Sequence, residues 1–311
     1  MQMIRKRPFH RRGFYGNPIG LILFLLPGIG AYTLIMLYPL VMSFVYSMIN
    51  WQGLKPLWTW NNFKYFKLMF ADPVIWSGLA NNGRAWLMFA LVQVPLALLL
   101  AFFLSRKIRA AGLFRFIYYI PQVTSVLLLA MIFKFLLSSE YGVNALLKGI
   151  GLGALAHPWL SANGLVQWVV MVPQTWAGVG FWVVIFLAAI LGVPEDLLEA
   201  AQLDGANDFQ LLYHVTLPSI GSVVQFSYVM TVIMSLQALL YQFLLPTVPG
   251  GPADLTHTLG SYLAVQVINE GRVPTNWGYG SAIAVLLFFL SVLGTLLVLN
   301  FNRLSRKAQG E

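Results

Sequence analysis

Charge is scarce in this sequence. Of its 311 residues, 9% are Asp, Glu, Lys or Arg, where an ordinary soluble domain carries about 25%. So few charges cannot cover a soluble surface of this size. With 59% hydrophobic residues, much of the exterior must face lipid. Cysteine is absent, which excludes disulfides, thiolate metal sites and cysteine nucleophiles and leaves the redox compartment open. No Gly-x-x-x-x-Gly-Lys-Ser/Thr string occurs, so the chain has no phosphate-cradling loop for ATP. His-Glu-x-x-His and Gly-x-Ser-x-Gly are missing as well. The histidines His10, His157, His214 and His257 are scattered over separate loops, and none is assigned a metal. Gly149, Gly151 and Gly153 follow no strand and read as a flexible outer loop.

What is present is apolar run after apolar run. A helix needs about 20 apolar residues to cross the hydrocarbon core. Six stretches qualify: Leu21–Ile49, Ala85–Ser105, Phe116–Leu137, Leu165–Gly192, Gly221–Leu245 and Ser281–Asn300. Pro27 and Pro39 predict a tilt or kink in the first. One formal charge, Lys134, falls inside the six, near the outer end of the third, where its stem can snorkel to the interface. The fold class is therefore all-α, with six transmembrane helices in one domain over 21–302. A basic segment (1–20) precedes it and a basic tail (303–311) follows.

The net charge of +9 does not read as a nucleic-acid footprint, because the basic residues flank apolar runs and line no face. Arg5, Lys6, Arg7, Arg11 and Arg12 precede the first run. Arg106, Lys107, Arg109 and Arg115 follow the second, and Arg303, Arg306 and Lys307 follow the last. Lys55, Lys64, Lys67, Arg84, Lys148 and Arg272 are spread over the longer opposite loops. Positive residues collect on the cytoplasmic side, so both termini are expected inside a multi-pass cell-membrane protein. Trp51, Trp58 and Trp60 suit an interfacial belt on the other side.

One expected cytoplasmic segment, 193–219, opposes that bias. It has no Lys or Arg but holds Glu195, Asp196, Glu199, Asp204 and Asp208. Pro194 suits a first helical position, and the acids after it complement the positive helix end. Leu197, Leu198, Ala201 and Leu203 continue a helix that Gly205 breaks. Asn207 or Asp208 can cap a second short helix with Phe209, Leu212 and Tyr213. The product is a helix-turn-helix between the fourth and fifth membrane helices. A hairpin lying on lipid headgroups would carry Lys and Arg; an acidic one suits a basic protein groove.

The order Glu199-Ala200-Ala201, Asp204-Gly205, Val215, Leu217-Pro218 resembles the EAA loop of permeases of binding-protein-dependent ATP-binding-cassette importers. Ile is commoner in the family where Val215 stands. The resemblance covers nearly the whole chain and is nearest the carbohydrate branch, the maltose and glycerol-phosphate type. Leu37-Tyr38-Pro39-Leu40, Phe114-Arg115, Ile120-Pro121, Tyr141-Gly142, Gly250-Gly251-Pro252, Thr258 and Gly278-Tyr279-Gly280 support it.

The resemblance implies a non-catalytic permease subunit that holds no cofactor, with ATP and magnesium bound by a partner. It implies docking of the hairpin on an ATPase dimer through Glu199, Ala200, Ala201, Asp204, Gly205, Phe209, Tyr213, Leu217 and Pro218. Further implied partners are a second, different permease and an extracytoplasmic solute-binding protein received by the outer loops 50–83, 138–164 and 246–280. Gln174, Trp176, Gly178, Gln237 and Tyr241 are solute-path candidates, because amides and aromatic faces suit sugar hydroxyls and ring faces. Gln225, Tyr228, Ser235 and Gln242 share that chemistry, and any of these can equally bond between helices. The rival readings are an ion-coupled secondary transporter or channel, which needs more intramembrane charge than Lys134, and a membrane-embedded transferase, which needs an acid or histidine cluster at a membrane face.

Overall fold

A computed structural model describes residues 18–51, 57–106, 111–161, 164–246, 254–268 and 276–308. The first described element is α1 (Ile19–Met48). A two-stranded antiparallel hairpin follows, β1 (Ile49–Asn50) with β2 (Leu57–Trp60). Next come α2 (Lys64–Ala71), α3 (Pro73–Ser105), α4 (Ala111–Val123), α5 (Val126–Leu136) and α6 (Gly142–Gly149). Then come α7 (Val166–Leu191), α8 (Glu195–Leu203) and α9 (208–219). The last three are α10 (Gly221–Leu244), α11 (Leu259–Val267) and α12 (Trp277–Ala308). Among the described residues, α1, α3, α7, α10 and α12 are each long and apolar enough to cross a bilayer, and the bent pair α4 and α5 makes up to six.

Several expectations need correction. The third apolar run is no straight rod: α4 and α5 meet at 96°. Pro121 removes an amide donor in the last turn of α4, and Ser125 is extended at ψ 132, so the helical ladder cannot pass through. Helix α3 begins at Pro73, ahead of Ala85, because the Asp72 carboxylate caps the Val74 amide at 2.9 Å. The chain is not purely α, since β1 and β2 pair. The segments expected as outer loops hold β2, α2, α6 and α11. Lys134 is exposed in the last turn of α5. The residues 1–17, Lys107, Arg109, Arg272 and the Gly250-Gly251-Pro252 string lie outside the described residues.

Among the described residues three helices contain a π turn: Thr33–Leu37 in α1, Phe89–Gln93 in α3 and Leu211–Thr216 in α9. Each is followed after one residue by a proline, Pro39, Pro95 or Pro218. Proline has no amide proton, and its ring collides with the carbonyl four residues back. Widening the preceding turn by one residue moves that carbonyl aside, and the helix continues unbroken.

Helix α3 lies beside α7, α4 crosses α7, and α12 packs against the second half of α1, α10 and α11. Helix α1 exposes Leu23, Phe24, Leu34 and Ile35 ahead of that packed stretch. One apolar cluster joins α3 and α7 to the α8–α9 segment through Phe102, Trp182, Phe186, Leu211 and Leu212. A second joins Phe89, Leu129, Val170 and Tyr241. A third joins Tyr65, Met69, Leu259 and Ile283.

Helix α10 is interrupted between Leu236 and Leu240. Carbonyls freed inside a membrane protein must find partners. Asn82 of α3 donates to the Ser235 carbonyl at 2.6 Å and accepts from the Leu259 amide at 3.0 Å. The Thr258 hydroxyl donates to the Ala238 carbonyl. Asn81 donates to the carbonyls of Leu255 and His257, both at 2.7 Å. The Asp72 carboxylate accepts from the Tyr262 and Tyr279 hydroxyls at 2.7 Å each. Short polar side chains thus tie α3, α10, α11 and α12 together at one end of the bundle.

Candidate functional site

The segment 193–219 folds as a capped hairpin. Pro194 is extended at ψ 128 and stands just before the first turn, one residue earlier than expected. Glu195 and Asp196 occupy that turn, where the helix dipole favours negative charge. Gly205 ends α8 in the left-handed region, at φ +83. Its amide bonds to the Gln202 carbonyl at 3.0 Å, and the Ala206 amide bonds to that of Ala201 at 2.9 Å. This pair of bonds is a Schellman closure, for which glycine is the usual residue. Asn207 opens the second arm with a capping box. Its side chain accepts from the Gln210 amide at 2.9 Å, and the Gln210 side chain accepts from the Asn207 amide at 2.8 Å. With both sides of a two-residue turn closed by hydrogen bonds, the elbow is rigid.

The hairpin has two faces. Leu198, Ala201, Ala206, Leu211, Leu212 and Val215 pack against α3 and α7. On the other side Leu203 is 89%, Phe209 69% and Tyr213 62% exposed. Glu199, Ala200, Asp204, Gly205 and Pro218 are exposed as well, and Leu217 is half-buried. Large apolar side chains thus stand exposed beside acids on this face. The second arm is also tied to α3: the Arg106 guanidinium meets the Asp208 carboxylate at 2.7 Å.

The polar groups inside the bundle are less convergent. Trp176 of α7 is exposed to an apolar cleft of about 340 Å³ that it shares with Met88, Val92, Tyr118 and Thr175. Gly178 turns the other way, toward α3, where a side chain would overlap the Gln93 amide. Gln174 is half-buried with its carbonyl oxygen unpartnered among the described residues. Neither amide atom of Gln93 or Gln242 finds a partner there, although both residues are fully buried. Tyr241 is buried in the second apolar cluster, and Gln237 is exposed at the break in α10.

Residues 93–307 match the family described as binding-protein-dependent transport system inner membrane component. The chain belongs to that family. This permease is 30% identical to the diacetylchitobiose uptake system permease protein of Streptomyces coelicolor, over 98% of its own length and 88% of the relative's. It is 32% identical to the lactose transport system permease protein of Rhizobium radiobacter, with 78% and 80% covered. Its fold is that of a chain in a bacterial ABC transporter involved in the import of alginate. The TM-score is 0.74 at 22% identity, covering 92% of this permease and 95% of that chain.

The expected docking residues of the permease share one elbow, and most face outward from it. The expected solute-path residues do not share one lining: Trp176 faces the cleft, while Gly178 and Tyr241 face the interior. Sequence reasoning passed over Gln93. The signal was available, since Gln93 is the single amide in the run Ala85–Ser105. It also passed over Asn81 and Asn82, which fell in an expected loop.

Proposed function

We propose that this permease forms, with a second and different permease, the translocation path of an ATP-driven importer for a sugar or oligosaccharide. The hairpin 193–219 is its coupling element and docks, on the cytoplasmic side, into a cleft of a separate ATPase dimer that binds ATP and magnesium. Both termini are cytoplasmic, and the opposite end of the bundle receives an extracytoplasmic solute-binding protein. The single observation behind the coupling role is the elbow itself: rigidly capped, anchored on one face and bare on the other. A rigid lever transmits a displacement; a loose loop absorbs it. Ala200 and Gly205 allow close approach, Glu199 pairs with a basic ATPase residue, and Phe209 and Tyr213 fill apolar pockets. Closure of the ATPase dimer must favour one permease conformation over the other for solute to move.

The carbohydrate class rests on the relatives named for diacetylchitobiose and lactose. Gln174, half-buried on α7, has an amide oxygen without a partner among the described residues, as recognition of a hydroxyl requires. Glu199→Lys and Gly205→Asp are expected to abolish uptake while the protein stays in the membrane. Uptake retained in both variants refutes the coupling role.

A further inference from the structure

We infer that Arg106 is a positioning residue: its ion pair with Asp208 makes the hairpin's second arm move together with the membrane helix α3. The inference rests on the docking reading above and names a connection that reading does not contain. Chain connectivity alone joins the hairpin to α7 through α8 and to α10 through α9. Helix α3 ends almost a hundred positions earlier in the sequence and shares no covalent link with the elbow.

The guanidinium of Arg106 is held from two sides. Its central carbon lies 4.8 Å from the centre of the Phe102 ring, one turn earlier on α3. Its Nη2 donates to Asp208 Oδ1 at 2.7 Å. Phe102 is itself buried at 3% exposure and belongs to the cluster that contains Leu211 and Leu212 of the second arm. The cation therefore sits on a fixed aromatic platform, and Arg suits this better than Lys because a planar guanidinium stacks and bonds at once.

Asp208 is the first residue of the second arm, directly after the Asn207 cap. The carboxylate is thus set by the capping box that closes the elbow, and a pull on it turns the arm. The two side chains remain 33% and 67% exposed. Exposed ion pairs add little to stability. The contribution is therefore expected in coupling and not in folding: ATP-driven displacement of the elbow reaches α3 directly, and through it Gln93 and the cleft beside Trp176.

The test is a charge-reversal cycle in the complete transporter with its ATPase, second permease and binding protein. Arg106→Glu and Asp208→Arg are each expected to lower solute taken up per ATP hydrolysed by about fivefold or more. The double reversal should return most of that ratio. Single variants within about twofold of wild type, or a double reversal no better than the singles, overturn the inference. Should a reversal variant fail to reach the membrane, the neutral pair Arg106→Gln and Asp208→Asn is measured instead. Non-additive losses then support the pair, and additive losses overturn it. Co-purification separates the two levels of failure. A wild-type permease that retains no ATPase sinks the docking reading itself, whereas an assembled transporter without rescue sinks only the role of Arg106.

Discussion

Single polar residues decide how this largely apolar chain holds its shape. Asn82 satisfies a carbonyl at the break in α10 and the first amide of α11 with one side chain. An apolar replacement leaves the Leu259 amide without its partner and leaves the Ser235 carbonyl with the longer bond from the Ala238 amide at 3.3 Å, which costs about 1–3 kcal/mol. Asn82→Leu is therefore expected to lower the thermal denaturation midpoint in detergent. A change at the exposed Gln122 should leave it in place.

His257 is buried beside Ser261 at 3.1 Å, with Asp254 at 3.5 Å on its other ring nitrogen and the Tyr262 ring 5.4 Å away. Burial holds its imidazole below the ordinary 6.5, against the opposing pull of the Asp254 carboxylate. The unfolded chain therefore takes up this proton before the folded one does. The associated stability is full above 6.5 and is lost as pH falls from there toward the lower folded value. Denaturation midpoints taken at about pH 7.5 and about pH 5.5 should fall with acid, and His257→Gln should reduce the drop. An equal drop in the variant contradicts this assignment.

Elements follow from the sequence where the local rules are strong. Most of the elbow was legible: Gly205 takes the left-handed region, Asn207 is one of two residues suited to cap the second arm, and the acids sit in the first turn of α8, with Pro194 one position out. Five of the six apolar runs coincide with helices long and apolar enough to span, and the third with the bent pair α4 and α5, because crossing a bilayer demands length above all. The bend between α4 and α5 was not legible in the same way. Pro121 and Thr124-Ser125 permit a break, but a membrane helix tolerates proline when its freed groups find partners, as the runs through Pro39 and Pro95 do. The start of α3 was hidden for a different reason. Its early turns carry Asn81, Asn82 and Arg84, whose polarity reads as loop until Leu255, His257 and Ser235 are seen to receive the two asparagines and Asn81 to receive Arg84.

The contact between α3 and α7 was equally hidden, since it pairs a glycine with an amide far away in sequence. Gly178→Leu is expected to force the Gln93 side chain aside, at a cost of about 1–3 kcal/mol for the overpacked site. Adding Gln93→Ala vacates the space and should recover most of the lost midpoint. Equal midpoints for the single and double variants contradict this packing.

At the scale of the whole molecule, one end of the bundle is closed by polar ties and the other bears a stiff, bare elbow. The solute path is the part least legible in the sequence, because amides inside a membrane serve helix contacts and solute contacts alike. The elbow is the feature on which the functional account depends. Since the chain has no cysteine, a single Phe209→Cys substitution marks that elbow uniquely. The decisive measurement is its labelling by a membrane-impermeant maleimide in inside-out vesicles, with and without the ATPase subunits. Labelling is expected when the ATPase is absent and protection when it is bound. Labelling only from the opposite side of the membrane, or labelling unchanged by the ATPase, contradicts the account.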